Sequence, residues 1–309
     1  MFKSLRILLA TLLLTTPALA QAPDAFARFD ENGDGILEKS EVPRIGHRRF
    51  DQLDTDGDGR ITQEEALAAS VGPQSEGRFG NGAASAPDFA DVRYSSNYDR
   101  SVMDIWTADG STKAPVLVFF HGGGFVSGSK NVAAIGGKLT DLTNEGVAVV
   151  SVGYPFIEDV RGAGTQEKGL EKIYGETELA IAYLRENASR FKIDPDRIIV
   201  SGSSAGAMIT TYLAVTDPQP GVVGGLVLNQ PRGAERVLPE VDRNSVPIVL
   251  FSVYGPDNKM HPPSEAQKIY DQCEAVSANC AIFGSPVSGL PQLSDGTEIT
   301  TYAIDFILN

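Results

Sequence analysis

Histidine is scarce in this chain, with three in 309 residues, His47, His121 and His261. Any chemistry that runs on an imidazole must therefore be assigned to one of these three positions. Cysteine is scarcer still. Cys273 and Cys280 leave room for one disulfide at most. Long apolar runs are also missing: the stretch 7–14 is far shorter than the roughly 20 apolar residues that cross a bilayer, and no later segment reaches that length. Positive charge is in deficit, with 26 Lys and Arg against 40 Asp and Glu and a formal net charge of −14. Such a surface repels nucleic acid and anionic lipid, so neither is expected as a partner.

The first twenty residues read as a secretory signal peptide. Lys3 and Arg6 precede the apolar run, and Ala18-Leu19-Ala20 fits a small-residue cleavage site. No cysteine follows Ala20 to accept a lipid, so the expected destination is a periplasm or the exterior of a cell. An oxidising compartment favours pairing of Cys273 with Cys280, two buried free thiols being the alternative.

Residues 30–41 read DENGDGILEKSE and residues 54–65 read DTDGDGRITQEE, and both follow the EF-hand loop position by position. Calcium is a hard cation that takes six to eight oxygens. Positions 1, 3 and 5 offer short oxygen-bearing side chains, Asp30, Asn32 and Asp34 in one loop and Asp54, Asp56 and Asp58 in the other. Position 7 offers the carbonyls of Ile36 and Arg60, and position 12 the carboxylates of Glu41 and Glu65. Phe26 and Phe29 stand four and one residues ahead of the first loop, and Phe50 and Leu53 repeat those offsets ahead of the second. Only residues 42–53 separate the loops, which predicts a compact, small all-α pair over 21–71. A steady millimolar supply of calcium outside the cell points to a structural rather than a switching role. Residues 72–90 are rich in Gly, Pro, Ser and Ala and read as a linker.

From residue 91 the pattern changes to short apolar runs alternating with longer helical stretches, the mark of a mostly parallel, doubly wound α/β sheet. Strands are predicted at 116–120, 147–152, 197–201, 223–228 and 247–253, and helices at 171–191, 205–215 and 264–276. Gly202-Ser203-Ser204-Ala205-Gly206 falls between a predicted strand and a predicted helix, the context of a nucleophile elbow with Ser204 at its tip. His121-Gly122-Gly123-Gly124 follows another strand, where the amides of Gly122 and Gly123, with that of Ala205, would face a developing oxyanion.

With these motifs in this order, residues 91–309 resemble the esterase and lipase branch of the α/β-hydrolase fold. Val102-Met103-Asp104-Ile105-Trp106 as an early strand, Tyr154-Pro155, and the run 193–198 leading into the elbow add to the likeness. The resemblance implies hydrolysis of a carboxylic ester, on a small-molecule, carbohydrate or lipid substrate, through an acyl-enzyme with the order Ser, acid, His. Asp257, after the strand 247–253, stands where the acid belongs, unless it only caps the helix that follows.

The histidine departs from that order. The loop where the resemblance would put it, 284–296, has none, and Ser288 stands there instead. His261 is left, four residues past Asp257, either as a relocated base for Ser204 or as a solvent-facing loop residue ahead of Pro262-Pro263. Two functions therefore stay open: a calcium-stabilised exported esterase using Ser204, Asp257 and His261, or a catalytically impaired relative that binds an ester without turning it over.

Overall fold

The computed structural model describes residues 32, 34, 36–41, 58–62, 86–130, 138–294 and 297–309. The chain divides into two compact units, Met1–Ser75 and Glu76–Asn309. In the first, β1 (Ile36–Glu38) and β2 (Arg60–Thr62) pair antiparallel, with Leu37 opposite Ile61. Both of those side chains are buried. The residues that follow position 6 of each loop thus form a short bridge between the two loops. The helices expected around the loops, the signal peptide and most of the predicted linker lie outside the described residues.

The second unit is an eight-stranded sheet with helices on both faces. In chain order its elements are β3 (Phe89–Arg93), β4 (Val102–Trp106), β5 (Ala114–Phe120), α1 (Lys138–Asn144), β6 (Ala148–Val152), α2 (Gln166–Glu186), α3 (Ala188–Phe191), β7 (Ile193–Ser203), α4 (Ala205–Thr211), β8 (Val222–Leu228), β9 (Ile248–Ser252), α5 (Pro263–Val276), β10 (Cys280–Gly284) and α6 (Ile299–Leu308). The strand order is β10-β9-β8-β7-β5-β6-β4-β3. The pairs from β10 to β6 are parallel, while β4 runs antiparallel to β6 and β3 antiparallel to β4. This is the expected doubly wound α/β-hydrolase arrangement.

Strands covered on both faces need apolar residues on both, and β5 and β6 are accordingly almost unbroken apolar runs. Val116, Val118 and Phe120 join one core with Ile173, Ala180 and Leu184 of α2. Leu117 and Phe119 point the other way and join Leu139 and Leu142 of α1 and Ile304 and Ile307 of α6. Thr165 caps α2 by accepting the Lys168 amide, and the buried stripe of α2 recurs at helical spacing from Gly169 to Leu184.

Three expectations change. The linker predicted to reach residue 90 gives way to β3 at Phe89, whose ring packs edge-on against Phe191 at 5.2 Å. The helix predicted over 171–191 starts five residues earlier and breaks at Asn187 into α2 and α3. The one predicted over 205–215 widens at Tyr212–Thr216 into a π turn. Helix α6 was missed, because its ITTYAIDFIL run carries no strong start signal: Glu298, its N-cap, makes no side-chain capping bond. Among the described residues no helix is long and apolar enough to cross a membrane.

Cys273 near the end of α5 and Cys280 at the start of β10 form the expected disulfide, with Cα atoms 6.1 Å apart. It ties α5 to the edge strand across a separation of seven residues. Closing so short a loop contributes about 2 kcal/mol through the unfolded chain. Replacing both cysteines by serine should lower the unfolding free energy by about that amount, measured by urea denaturation of oxidised wild type and variant.

Candidate active site

The end of β7 and the start of α4 position the candidate nucleophile. Ser204 lies between them with φ 58° and ψ −115°, a conformation that costs a residue bearing a side chain about 1–3 kcal/mol. Its amide donates to the Leu228 carbonyl at 3.1 Å, and its carbonyl accepts from the Met208 amide at 3.2 Å. The turn is so tight that a Cβ on Gly202 would strike the Gly206 carbonyl and lie 2.7 Å from the Phe120 carbonyl oxygen. A Cβ on Gly206 would collide with that same Phe120 oxygen. The G-x-S-x-G spacing is therefore a packing requirement between backbones.

His261 meets this serine. Its Nε2 stands 2.8 Å from Ser204 Oγ, so with the proton on Nδ1 the hydroxyl donates to the ring. The loop between β9 and α5 that delivers it is a closed turn. The Asn258 amide donates to the Gly255 carbonyl, and Asn258 Oδ1 accepts the amides of Met260 and His261 at 3.0 and 2.8 Å. Arg232 clamps the turn from outside: its amide donates to the Met260 carbonyl and its Nε to the Lys259 carbonyl at 2.6 Å. The Tyr254 ring stacks on the imidazole at 5.3 Å and 20°. Burial pushes the His261 pKa below its ordinary value, which keeps the ring neutral and able to accept a proton at neutral pH.

Asp257 does not meet the ring. It lies at the exposed apex of the same turn, and among the described residues no carboxylate is within hydrogen-bond or ion-pair reach of His261. The expectation of Asp257 as the supporting acid does not fit this geometry. Asn258 gathers the amides on the inner side of the turn, which sends its neighbour outward. The loop from 284 is occupied by its own hydrogen bonds. Ser285 donates its amide to the Ser252 carbonyl and its hydroxyl to the Val253 carbonyl. Ser288, buried, donates to the Ser285 carbonyl at 2.7 Å and accepts the Leu290 amide.

The glycine loop after β5 faces the serine, with a Cβ built on Gly122 falling 3.4 Å from Ser204 Cβ. Gly123 has φ 119°, and its carbonyl accepts the amides of Val126 and Ser127, both at 3.1 Å. Among the described residues the amides of Gly122, Gly123 and Ala205 have no backbone acceptor, the state an oxyanion hole requires. His121 holds this loop rather than serving as a base. Its Nδ1 donates to the Gly122 carbonyl at 2.7 Å, its ring stacks on Tyr154 at 4.3 Å, and the Tyr154 hydroxyl donates to the His121 carbonyl at 2.6 Å. Burial lowers its pKa to about 4, so it stays neutral there.

A cleft of about 740 Å³ lies between α2, the π turn and residues 230–237, and it reaches Met208, one helical turn along α4 from Ser204. Met208, Tyr174, Tyr212, Gln230 and Arg232 are among its lining residues. Tyr174 and Tyr212 stack at 4.4 Å and 11°. Glu265 of α5 fixes the 230–237 segment by accepting the amides of Gly233 and Ala234 while pairing with Lys268 at 2.8 Å. Burial would raise the Glu265 pKa, but these partners outweigh it and hold it below its ordinary value. Sequence patterning flagged none of Tyr254, Asn258, Gln230 or Arg232, because each acts through contacts that cross between elements.

In the first unit Asn32, Asp34, Ile36, Glu41, Asp58 and Arg60 are described, whereas Asp30, Asp54, Asp56 and Glu65 lie outside the described residues. Asn32 and Asp34 Oδ1 accept the amides of Asp34 and Ile36, and Asp58 Oδ1 accepts that of Arg60. The Glu41 carboxylate reaches back to the Glu38 amide at 2.8 Å. Each short side chain thus bends its loop, and the donors are all hard oxygens of the kind calcium takes.

Since no carboxylate among the described residues supports His261, its titration should owe nothing to Asp257. In histidine NMR titrations His261 should titrate below about 6.5 in both wild type and Asp257→Asn. A fall of about one unit or more in the variant would show that the two residues are paired.

Comparison with known proteins agrees with this fold. A family model described as BD-FAE matches residues 103–283, and one described as EF hand matches residues 24–42 and 47–65. Acetylcholinesterase of Gallus gallus is 35% identical over 108 residues, 34% of this chain and 14% of that protein. Para-nitrobenzyl esterase of Bacillus subtilis (strain 168) is 28% identical over 152 residues, 47% of this chain and 30% of that protein. The chain spans less than a third of the length of these relatives. Among solved structures, a truncated carbohydrate esterase from gut microbiota superposes with a TM-score of 0.54 at 15% identity, covering 63% of this chain and 86% of that one. A bifunctional GH43-CE protein of Bacteroides eggerthii gives 0.57 at 16%, covering 71% and 35%. These two likenesses show the α/β-hydrolase fold. With its family model matched over more than half of the residues, this chain belongs to the BD-FAE family.

Proposed function

We propose that the chain is an exported carboxylic ester hydrolase that works through a Ser204–His261 dyad and carries a calcium-stabilised N-terminal module. The observation that carries this reading is the 2.8 Å contact between Ser204 Oγ and His261 Nε2 at the tip of the elbow. Ser204 Oγ attacks the ester carbonyl while its proton passes to His261 Nε2. The carbonyl oxygen becomes an anion held by the amides of Gly122, Gly123 and Ala205. Collapse expels the alcohol, protonated by His261, and leaves an acyl group on Ser204. Water, deprotonated by the same imidazole, then releases the acid and restores the serine. Esterase is also the activity named for the relatives above, and the carbohydrate esterase among the structural neighbours makes an acylated sugar one candidate substrate.

Wild type should hydrolyse p-nitrophenyl acetate, while Ser204→Ala and His261→Ala should each lose about 10³-fold or more in kcat/KM, and Asp257→Asn should stay within a few-fold of wild type. That no carboxylate among the described residues reaches His261 favours a second reading, an impaired hydrolase that binds esters. Wild type no faster than Ser204→Ala would select it.

Calcium binding rests on the two EF-hand matches and the oxygen donors of both loops, with Asp30, Asn32, Asp34, Ile36 and Glu41 holding one ion and Asp54, Asp56, Asp58, Arg60 and Glu65 the other. The bound ion would cross-link each loop and neutralise its crowded carboxylates. Export follows from the signal-like residues 1–20 and is compatible with the Cys273–Cys280 bridge. Calcium at ten times its Kd should stabilise the folded module by about 1.4 kcal/mol per site, about 2.8 kcal/mol for the two, read as a higher unfolding midpoint in calorimetry. The double variant Asp34→Ala, Asp58→Ala should lose that shift.

A further inference from the structure

Gln230 is the unusual member of the cleft that Met208 and Arg232 line. It is 2% exposed, it lines the cleft, and its side-chain Oε1 is buried without a hydrogen-bond partner among the described residues. An unpaired buried acceptor is costly, which makes its persistence in this wall informative. Its position ties it to the chemistry. Gln230 follows by two residues Leu228, whose carbonyl accepts the Ser204 amide. Met208, another lining residue, donates its amide to the Ser204 carbonyl, and Arg232 donates its amide to the carbonyl of Met260, the neighbour of His261. Two lining residues, Met208 and Arg232, are thus hydrogen-bonded to the segments that hold the nucleophile and the base, and Gln230 follows closely in the chain on a third.

The rest of the lining suits a compact polar group with apolar faces. The stacked Tyr174–Tyr212 pair, Leu170 and Met208 supply apolar surface. The charged groups around the cleft are of both signs, Glu167 and Glu171 against Arg232 and Arg236, so no net charge selects an ionic substituent. What the cleft lacks is a donor for Gln230. The volume of about 740 Å³ is that of a small-ligand site.

We propose that Gln230 is a specificity-determining residue that accepts a hydrogen bond from a hydroxyl on the substrate, so that the cleft takes the hydroxyl-bearing portion of an ester. This rests on the esterase reading and deepens it. When such a substrate binds, the carboxamide turns toward the cleft, the substrate O–H donates to Oε1 and the unpaired acceptor is satisfied. An ester of the same shape without the hydroxyl leaves Oε1 buried and unpaired and is disfavoured, as happens wherever a site built to bond a hydroxyl meets an analogue lacking one.

The test compares two acetate esters of matched skeleton, the 6-O-acetyl ester of methyl glucoside and cyclohexylmethyl acetate, in wild type and Gln230→Met. Wild type should prefer the hydroxylated ester in kcat/KM, and the ratio of the two should fall by about ten-fold or more in the variant. Methionine preserves the volume and removes the unpaired acceptor, so the unfolding midpoint should hold or rise. An unchanged ratio would overturn the proposal, and so would a midpoint lowered by several degrees, which would show that the carboxamide serves the fold. p-Nitrophenyl acetate keeps the two readings apart. If wild type fails to hydrolyse it, the esterase reading itself falls, whereas an active wild type with an unchanged ratio removes only the assignment of Gln230.

Discussion

Ser204 holds a positive φ although it bears a side chain, and the surrounding structure exists in large part to keep it there. The amide of Ser204 is bound by β8 through Leu228, its carbonyl by α4 through Met208, and the glycines two residues to either side let the Phe120 and Gly206 carbonyls approach closely. The same contacts place the glycine loop after β5 against the serine. A parallel sheet makes this possible, since β5, β7, β8 and β9 all end at one edge and their following loops converge there. A strain of about 1–3 kcal/mol is sustained by a rigid, doubly covered sheet, whose core it does not disturb.

The imidazole reaches that serine by a short route. A base brought from the last loop would need residues 284–291 to reach into the cleft, but Ser285 and Ser288 bond this segment onto itself and onto the end of β9. The loop after β9 takes over, folded around Asn258 and clamped by Arg232. So tight a turn has one inner side, and His261 takes it. The ring is positioned by stacking on Tyr254 and by backbone bonds rather than by a carboxylate, and desolvation keeps it neutral.

Buried charges elsewhere act as fasteners for the loops around this edge. Glu265 joins α5 to the segment that walls the cleft. Glu176, in the apolar stripe of α2, accepts from Ser101 at 2.6 Å and Asn97 at 2.9 Å and anchors the turn before β4. Lys130 bridges Asp104 and Asp91 and holds the strand pair at the far edge. The buried carboxylates among these, Glu265, Glu176 and Asp104, each have hydrogen-bond partners, which is the condition for keeping such groups out of water.

What the sequence by itself determined is what short-range rules control. Apolar runs bounded by Gly and Pro marked the buried strands, the two twelve-residue loops declared their oxygen donors, and G-x-S-x-G between a strand and a helix marked Ser204, because each depends on residues adjacent in the chain. The sheet order, the antiparallel edge and helix α6 were not legible, since they depend on which apolar faces find each other. The partner of Ser204 was left between two readings for the same reason. Whether His261 faced the serine or the solvent, and whether Asp257 faced His261, turned on a few ångströms of loop path set by Asn258, Arg232 and Tyr254. Only the tertiary structure brings those residues together, because hydrogen bonds and ring contacts between distant segments leave no periodic trace in the chain.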